Sequence, residues 1–295
     1  MKLKRGVLWS AVGLLALVLM IVLVLALLLG TQAGSRWALG LVPGLEVENF
    51  SGRLGGRWSA DHIVWQQGAD RAEVDAASFD WSPGCLLKTT LCIDRLHAAQ
   101  IRLKFPPSDQ PTSEGPLTLP DLQLPLQLQL QDIQLGSVQL DGVEQVRDLQ
   151  LAAHWTPEGL RIDSAHLQRD EIVLDLEGLL TPTGEWPLNA KGRLQLPAQD
   201  NQPWSLALDI QGNLLQTLQL SADSTGYLNG RLAGELEPLT ENLPARIRLT
   251  SERFKPSAAL PDTLQLEQLV LAIEGDLAKG YAIEGTSSLP AERGR

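Results

Sequence analysis

The sequence predicts a mainly β protein, in which an N-terminal transmembrane helix is followed by an elongated, curved antiparallel β-sheet that forms an open hydrophobic groove. Three observations predict this fold class. Residues 7–29 form an apolar run without a charged side chain, leucines alternate with polar residues over most of the later chain, and turn signals recur about every ten residues. Because strands joined by short turns must run antiparallel, the predicted sheet is a meander of consecutive strands.

The apolar run from Val7 to Leu29 is the first element. A helix needs roughly 20 apolar residues to cross a bilayer, so this run is long enough. Three basic residues precede it, Lys2, Lys4 and Arg5, and the next charge is Arg36. Since basic residues stay on the cytoplasmic side, we expect a cytoplasmic N-terminus and a remaining chain that is exported. The alternative is a cleaved signal peptide, whose apolar region is shorter, about 7–15 residues, so the length favours a retained anchor.

Charge and cysteine content narrow the function classes. The net charge of −11 argues against a nucleic-acid partner, because phosphates select surfaces rich in Lys and Arg. The two cysteines, Cys85 and Cys92, are a candidate disulfide in an exported chain and two free thiols in a cytosolic one. The predicted topology favours the disulfide, which would stabilise the fold by about 2–2.5 kcal/mol.

Composition and turn signals divide the chain into five segments. They are the basic N-terminus with the anchor (1–30), a juxtamembrane linker with a short helix (31–44), a first group of groove strands (45–105), an exposed loop low in hydrophobes (106–120) and Leu-rich groove repeats (121–295).

The segment before the loop contains a helix, four strands and a helical turn. Ser35 is the predicted cap of a helix over residues 36–41, which Pro43-Gly44 ends. Ser82 and Pro83 begin a helical turn that runs to Lys88. The predicted strands cover residues 45–50, 58–65, 72–81 and 90–103.

Beyond the loop, a strand is predicted from Leu124, because leucines at 124, 126, 128 and 130 alternate with other residues. Ile133 and Leu135 have the opposite parity, so a bulge or bend is expected near Gln131-Asp132. Asp141-Gly142 is a hairpin signal. The later strands repeat the alternation and supply most of the predicted groove lining, which consists of Leu128, Leu130, Leu151, Ile172, Leu174, Leu176, Leu194, Leu206, Leu208, Ile210, Leu220, Leu232, Ile247, Leu249, Leu271 and Ile273.

No catalytic or metal-binding pattern stands out. The four histidines lack the spacing of a helical metal site, and the carboxylates mostly alternate with leucines, as on a solvated sheet face. We therefore predict no enzyme, no metal and no cofactor. The apolar stripe has two interpretations: the interior of a closed sandwich or barrel, or an open groove. Transferring an acyl chain of ~16 carbons into water costs roughly 12 kcal/mol of free energy, and binding to an open groove would offset most of this cost.

The first third of the chain resembles a known family. The anchor, Pro43-Gly44-Leu45 and Phe50-Ser51-Gly52-Arg53-Leu54 with Trp58 are similar to the start of TamB proteins. The later motifs Phe79-Asp80-Trp81-Ser82-Pro83 and Leu91-Cys92-Ile93-Asp94-Arg95-Leu96 resemble the entry motif that TamB shares with AsmA-like proteins. The cysteine pair fits the TamB family better than the wider group.

This resemblance implies a periplasmic β-groove, anchored in the bacterial inner membrane by a single pass, that carries phospholipids towards the outer membrane. The implied partners are phospholipid acyl chains, the inner-membrane bilayer and the outer-membrane barrel TamA. Family members are several times longer and dock to TamA through a C-terminal domain, so we expect this chain to be a fragment that lacks that region. A second expectation is a non-enzymatic assembly factor for outer-membrane β-barrels and autotransporters, acting through exposed strand edges.

Overall fold

The computed structural model of the chain describes residues 20, 23–105, 119–240, 242–257, 259–261 and 265–289. Most of the predicted anchor, the basic residues Lys2, Lys4 and Arg5, and most of the predicted loop over 106–120 lie outside this part. Residues 23–30 are helical. Among the described residues, no helix has both the length and the apolar character needed to cross a membrane.

Helix α1 spans Gln32–Leu39, and it begins earlier than predicted. The Oγ1 atom of Thr31 accepts a hydrogen bond from the Gly34 amide, so Thr31 is the N-cap. The prediction that Ser35 caps this helix is wrong. Ser35 is buried within α1, where its Oγ donates to the Leu28 carbonyl oxygen (3.2 Å) and accepts from the Leu54 amide (2.9 Å).

In the part of the chain that the structure describes, sixteen strands form one antiparallel sheet, which confirms the predicted mainly β fold. They are β1 (Leu45–Glu48), β2 (Ser51–Gly52), β3 (Trp58–Gln67), β4 (Asp70–Ser82), β5 (Thr90–Lys104), β6 (Gln127–Leu140), β7 (Val143–Thr156), β8 (Gly159–Arg169), β9 (Ile172–Leu180), β10 (Pro187–Gln199), β11 (Gln202–Asn213), β12 (Leu218–Gly226), β13 (Gly230–Leu236), β14 (Ala245–Phe254), β15 (Leu266–Asp276) and β16 (Gly280–Ser288). Their order in the sheet follows the chain from β1 to β16. The exception is β2, which pairs with β3 but lies outside this order.

The chain divides into two compact units. Unit 1 comprises Met1–Pro107 and Gln131–Gln145, and unit 2 comprises Ser108–Leu130 and Val146–Arg295. Hairpin turns match the sequence signals, since Asp141 and Gly142 have φ angles of 50° and 81°, as a tight hairpin between antiparallel strands requires. The predicted strand start at Leu124 is wrong, because β6 begins at Gln127 and Leu124 lies exposed in the preceding irregular segment.

Aromatic packing and hydrogen bonds attach the helical region of unit 1 to its sheet. Phe50, Trp58 and Phe79 stack in sequence, with ring centroids 6.0 and 5.7 Å apart. The indole Nε1 of Trp81 donates to the Leu54 carbonyl oxygen (2.7 Å), and the Gly55 amide donates to the carbonyl oxygen of Leu29 (2.7 Å). The end of the helical segment over 23–30 is therefore held against the turn that precedes β3.

A short 3-10 helix over Pro83–Lys88 connects β4 to β5, and the Sγ atoms of Cys85 and Cys92 are bonded to each other. Ser82 precedes this helix, but its side chain makes no capping bond and donates to Asp94 instead.

We expect the Cys85→Ser, Cys92→Ser double variant to lose about 2 kcal/mol of unfolding free energy, because closing this short loop restricts the unfolded chain. Urea denaturation checks this, and reduced wild-type protein should match the double variant; equal stability of the oxidised and reduced forms would contradict it.

Candidate functional site

The strands of unit 2 bring aliphatic side chains to one face of the sheet. Residues directly opposite each other in antiparallel strands project to the same side. Leu176 lies opposite Gly192, and Gly192 lies opposite Leu208 on the next strand. The same row continues from Leu208 through Ala222 to Leu232. We call the side that carries this row and the rows parallel to it the aliphatic face.

The register places the predicted lining residues of β7 to β15 on the aliphatic face. These residues are Leu151, Ile172, Leu174, Leu176, Leu194, Leu206, Leu208, Ile210, Leu220, Leu232, Ile247, Leu249, Leu271 and Ile273. The two remaining predicted residues, Leu128 and Leu130, lie on β6 ahead of these strands. Both are half-buried and alternate with exposed Gln127 and Gln129.

The aliphatic face has several members in addition to the predicted lining. Apolar residues on the same parity were left out of the predicted lining, and small ones fill the gaps between leucines. They include Leu188, Ala190, Gly192, Trp204, Leu218, Ala222, Leu236 and Leu269. Parity within each strand is the signal that would have found them, because each alternates with a residue of the opposite face.

The aliphatic face is covered only in part. Leu174, Leu208 and Leu249 are half-buried, and Ile172 retains 40% of its accessible surface. In the described part of the chain, the largest side chain with less than 2% exposure is Ser35, in unit 1. Two sheets packed as a sandwich would instead bury their facing leucines almost completely.

The opposite side of unit 2 is the charged face, where the registered strands place complementary charges. Lys191 lies between Glu177 and Asp209 on the two neighbouring strands. Arg246 and Glu274, on β14 and β15, form an ion pair at 2.5 Å. Hydrogen bonding between these two side chains lowers the pKa of Glu274 and raises the pKa of Arg246.

Two depressions in unit 2 lie on the charged face. They have volumes of about 730 and 640 Å³, and their walls include Asp209, Gln219 and Arg248 in one and Asp175, Lys191 and Arg193 in the other. Since polar and charged groups line much of both depressions, we expect them to hold water rather than an apolar ligand.

Unit 1 carries a charged network on β4 and β5. Arg102 bonds Glu73 through its Nε atom (2.7 Å) and Asp75 through its Nη2 atom (2.8 Å), and Arg71 contacts Glu73 from the other side. Hydrogen bonds from Arg102 and then from Arg71 lower the pKa of the Glu73 carboxyl group. A group with a lowered folded-state pKa stabilises the protein above its unfolded pKa, and that stabilisation disappears as the pH falls through the folded value.

We therefore expect wild-type unit 1 to lose part of its stability below about pH 4.5, and a Glu73→Gln variant to show a smaller loss over the same range. The difference should be about 0.5–1 kcal/mol, since solvent screens this surface network. Hydrogen exchange of the β4 and β5 amides between pH 7 and pH 3 measures it. Parallel pH profiles for the two proteins would contradict the assignment.

Three of the histidines lie beside carboxylates on neighbouring strands. The Nδ1 atoms of His62, His154 and His166 are 2.6, 2.8 and 2.7 Å from aspartate oxygens. Among the described residues, no three His, Cys, Asp or Glu side chains are grouped as a metal site would require. The aliphatic face is thus the best-defined candidate site.

The fold and this face define the class of the protein: an antiparallel β-sheet protein with one aliphatic and one charged side. A family model described as the N-terminal domain of TamB matches residues 21–141 and 115–292. The chain therefore belongs to the TamB family, which confirms the resemblance inferred from its first third. Comparisons with curated proteins and with solved structures returned no match.

Proposed function

We propose that this chain is part of a protein, anchored in the bacterial inner membrane with its bulk in the periplasm, that moves phospholipids between the inner and outer membranes as a component of the translocation and assembly module. It acts without catalysing a reaction. The observation that carries this proposal is the aliphatic face. One of its rows crosses seven strands without a charged residue and consists of Leu176, Gly192, Leu208, Ala222, Leu232, Leu249 and Leu271.

The energetics of an acyl chain favour this role. Each methylene transferred to water costs about 0.8 kcal/mol, so a chain of ~16 carbons needs an apolar path of some length. Half-buried leucines in consecutive strands can bind such an acyl chain, because their exposed atoms become buried when the chain lies on them. A groove formed by this face would bind acyl chains with little head-group selectivity.

Family membership supports the location and partners that we propose. The apolar run over residues 7–29 would be a single-pass anchor with the N-terminus in the cytoplasm. Residues 45–105 would form the entry part of the groove and residues 121–295 its continuation. We propose the outer-membrane barrel TamA as the partner of the whole protein.

A photoreactive side chain placed on each face tests this function. Substituted at Leu174, Leu208 or Leu249 in cell membranes, it should capture phospholipid, whereas the same probe at Glu177 on the charged face should not. Lipid extraction followed by mass spectrometry identifies the adduct. Capture at Glu177 with none at the three leucines would overturn the proposal.

A further inference from the structure

A cleft of about 430 Å³ lies between α1 and β1 in unit 1. Leu39 of α1 lines one side, and Leu45 and Val47 of β1 line the other, with Phe50 at one end. These apolar residues enclose a volume within the usual range of small-ligand sites. The one ionisable side chain in the lining is Arg36.

Arg36 has no acidic partner among the residues that the structure describes. Its Nη2 atom donates to the carbonyl oxygen of Phe50 (2.7 Å), and its side chain is otherwise exposed. Two arginines on the sheet of unit 1 differ in this respect, since Arg57 is paired with Asp80 (2.6 Å) and Arg102 with Glu73. A guanidinium with donors left over beside an apolar wall suits a phosphate group attached to a hydrocarbon chain.

The apolar wall of the cleft continues into the sheet of unit 1. Leu45 lies opposite Trp65, which lies opposite Ala72 on the next strand. Val47 begins a second row in the same way, with Ile63 on β3 and Val74 on β4, and this row continues to Ile101 on β5. An acyl chain lying against β1 therefore has an apolar path across the sheet.

Helix α1, which lines one side of the cleft, follows the helical segment over residues 23–30 along the chain. Only Thr31 separates the two, and the exposed side chains of the segment include Leu23, Leu25 and Leu27. The carbonyl oxygen of Leu29 accepts a hydrogen bond from the Gly55 amide, so the segment ends against the turn that precedes β3.

We infer that the cleft between α1 and β1 is the site where a glycerophospholipid enters, with its phosphate on Arg36 and an acyl chain along Leu39, Leu45 and Val47. This inference rests on the proposed function, because it assigns the entry step of lipid movement to one site. It makes Arg36 a determinant of lipid binding in unit 1.

The test places a photoreactive side chain at Val47 in the full chain in cell membranes. Wild-type background should give a phospholipid adduct, and Arg36→Gln should reduce it about tenfold, since a charge-assisted contact is lost. Arg36→Lys should retain much of the adduct. Arg57→Gln is the matched control, because it removes an exposed arginine that is paired with Asp80, and it should leave the adduct unchanged. The Phe50 carbonyl also accepts from Gln32 Nε2 (3.3 Å), so Arg36→Gln leaves it bonded.

A second probe at Leu208 separates this inference from the proposed function. If Leu208 captures lipid equally in the wild type and in Arg36→Gln, the entry site is overturned and the proposed function stands. The same conclusion follows if Leu208 captures lipid and Val47 does not. Capture at Val47 that depends on Arg36, without capture at Leu208, would support the site and overturn transport along unit 2. Absence of capture at both positions would overturn both.

Competition distinguishes a lipid from a free anion at Arg36. Dioctanoyl phosphatidylglycerol, added to the solubilised full chain, should reduce labelling at Val47, whereas inorganic phosphate at the same concentration should not. Equal competition by inorganic phosphate would overturn the assignment of this cleft to a lipid.

Discussion

A Leu208→Asp variant is expected to lose phospholipid movement almost completely while the sheet still forms. Leu208 lies in the middle of a row on the aliphatic face, between Gly192 and Ala222. A carboxylate there must stay hydrated, so an acyl chain that passes it loses contact with several neighbouring side chains. Because Leu208 is half-buried, the aspartate reaches water and the cost to folding is moderate. Transfer of radiolabelled phospholipid between the two membranes measures the effect.

Ala207→Asp is the matched control for this experiment. It adds the same charge one position earlier on β11, where the side chain is exposed on the charged face opposite Arg193. Transport should stay near the wild-type rate. If both variants transport equally well, the aliphatic face is not the lipid path. If Leu208→Asp blocks lipid movement but client barrels still insert, assembly through strand edges is a separate activity.

A Gly226→Ala variant is expected to lower the unfolding free energy of unit 2 by about 3 kcal/mol. Gly226 has a φ angle of +97°, which L residues with a side chain rarely adopt. A Cβ atom there would also lie 1.9 Å from the carbonyl oxygen of Pro203, so the end of β12 must move away from β11. Trp204 lies opposite Gly226, and its fluorescence during urea denaturation reports the loss.

Gly184→Ala separates the two contributions at Gly226. Gly184 also has a positive φ angle, +63°, but a Cβ atom at this position would meet nothing within 4 Å. This variant should cost only the conformational penalty of about 1–2 kcal/mol. Equal destabilisation by the two substitutions would show that the contact with Pro203 relaxes without cost.

The sequence alone was enough to predict the sheet and the side of the sheet on which each residue lies. The reason is that alternation within a strand depends only on the local backbone. Leu206 and Leu208 are examples, since alternation within the single strand β11 is enough to group them. Small residues on the same side, such as Ala190 and Ala222, were missed because they add little to a hydrophobic pattern. Their importance lies in the aliphatic residues that they oppose on neighbouring strands, since Ala190 lies opposite Ile210, and Ala222 lies opposite Leu208 and Leu232.

Features that depend on tertiary contacts were not accessible in this way. Ser35 has the right chemistry for a helix cap, but Thr31 takes that role and Ser35 binds groups on two other segments. The sequence shows Arg36 as an isolated charge and gives no sign that Phe50 and β1 lie beside it. Pairing between distant segments decides both cases.

The strand order has a consequence for how this protein reaches its folded state. Every strand from β3 to β16 pairs with the strand just before it in the chain, and among these described strands none must be inserted between two earlier ones. Loop-closure entropy is small for such pairings, so each new hairpin can form as soon as its residues are released. An exported polypeptide with this order can fold vectorially, adding one strand at a time to a growing edge while its remainder is still crossing the membrane.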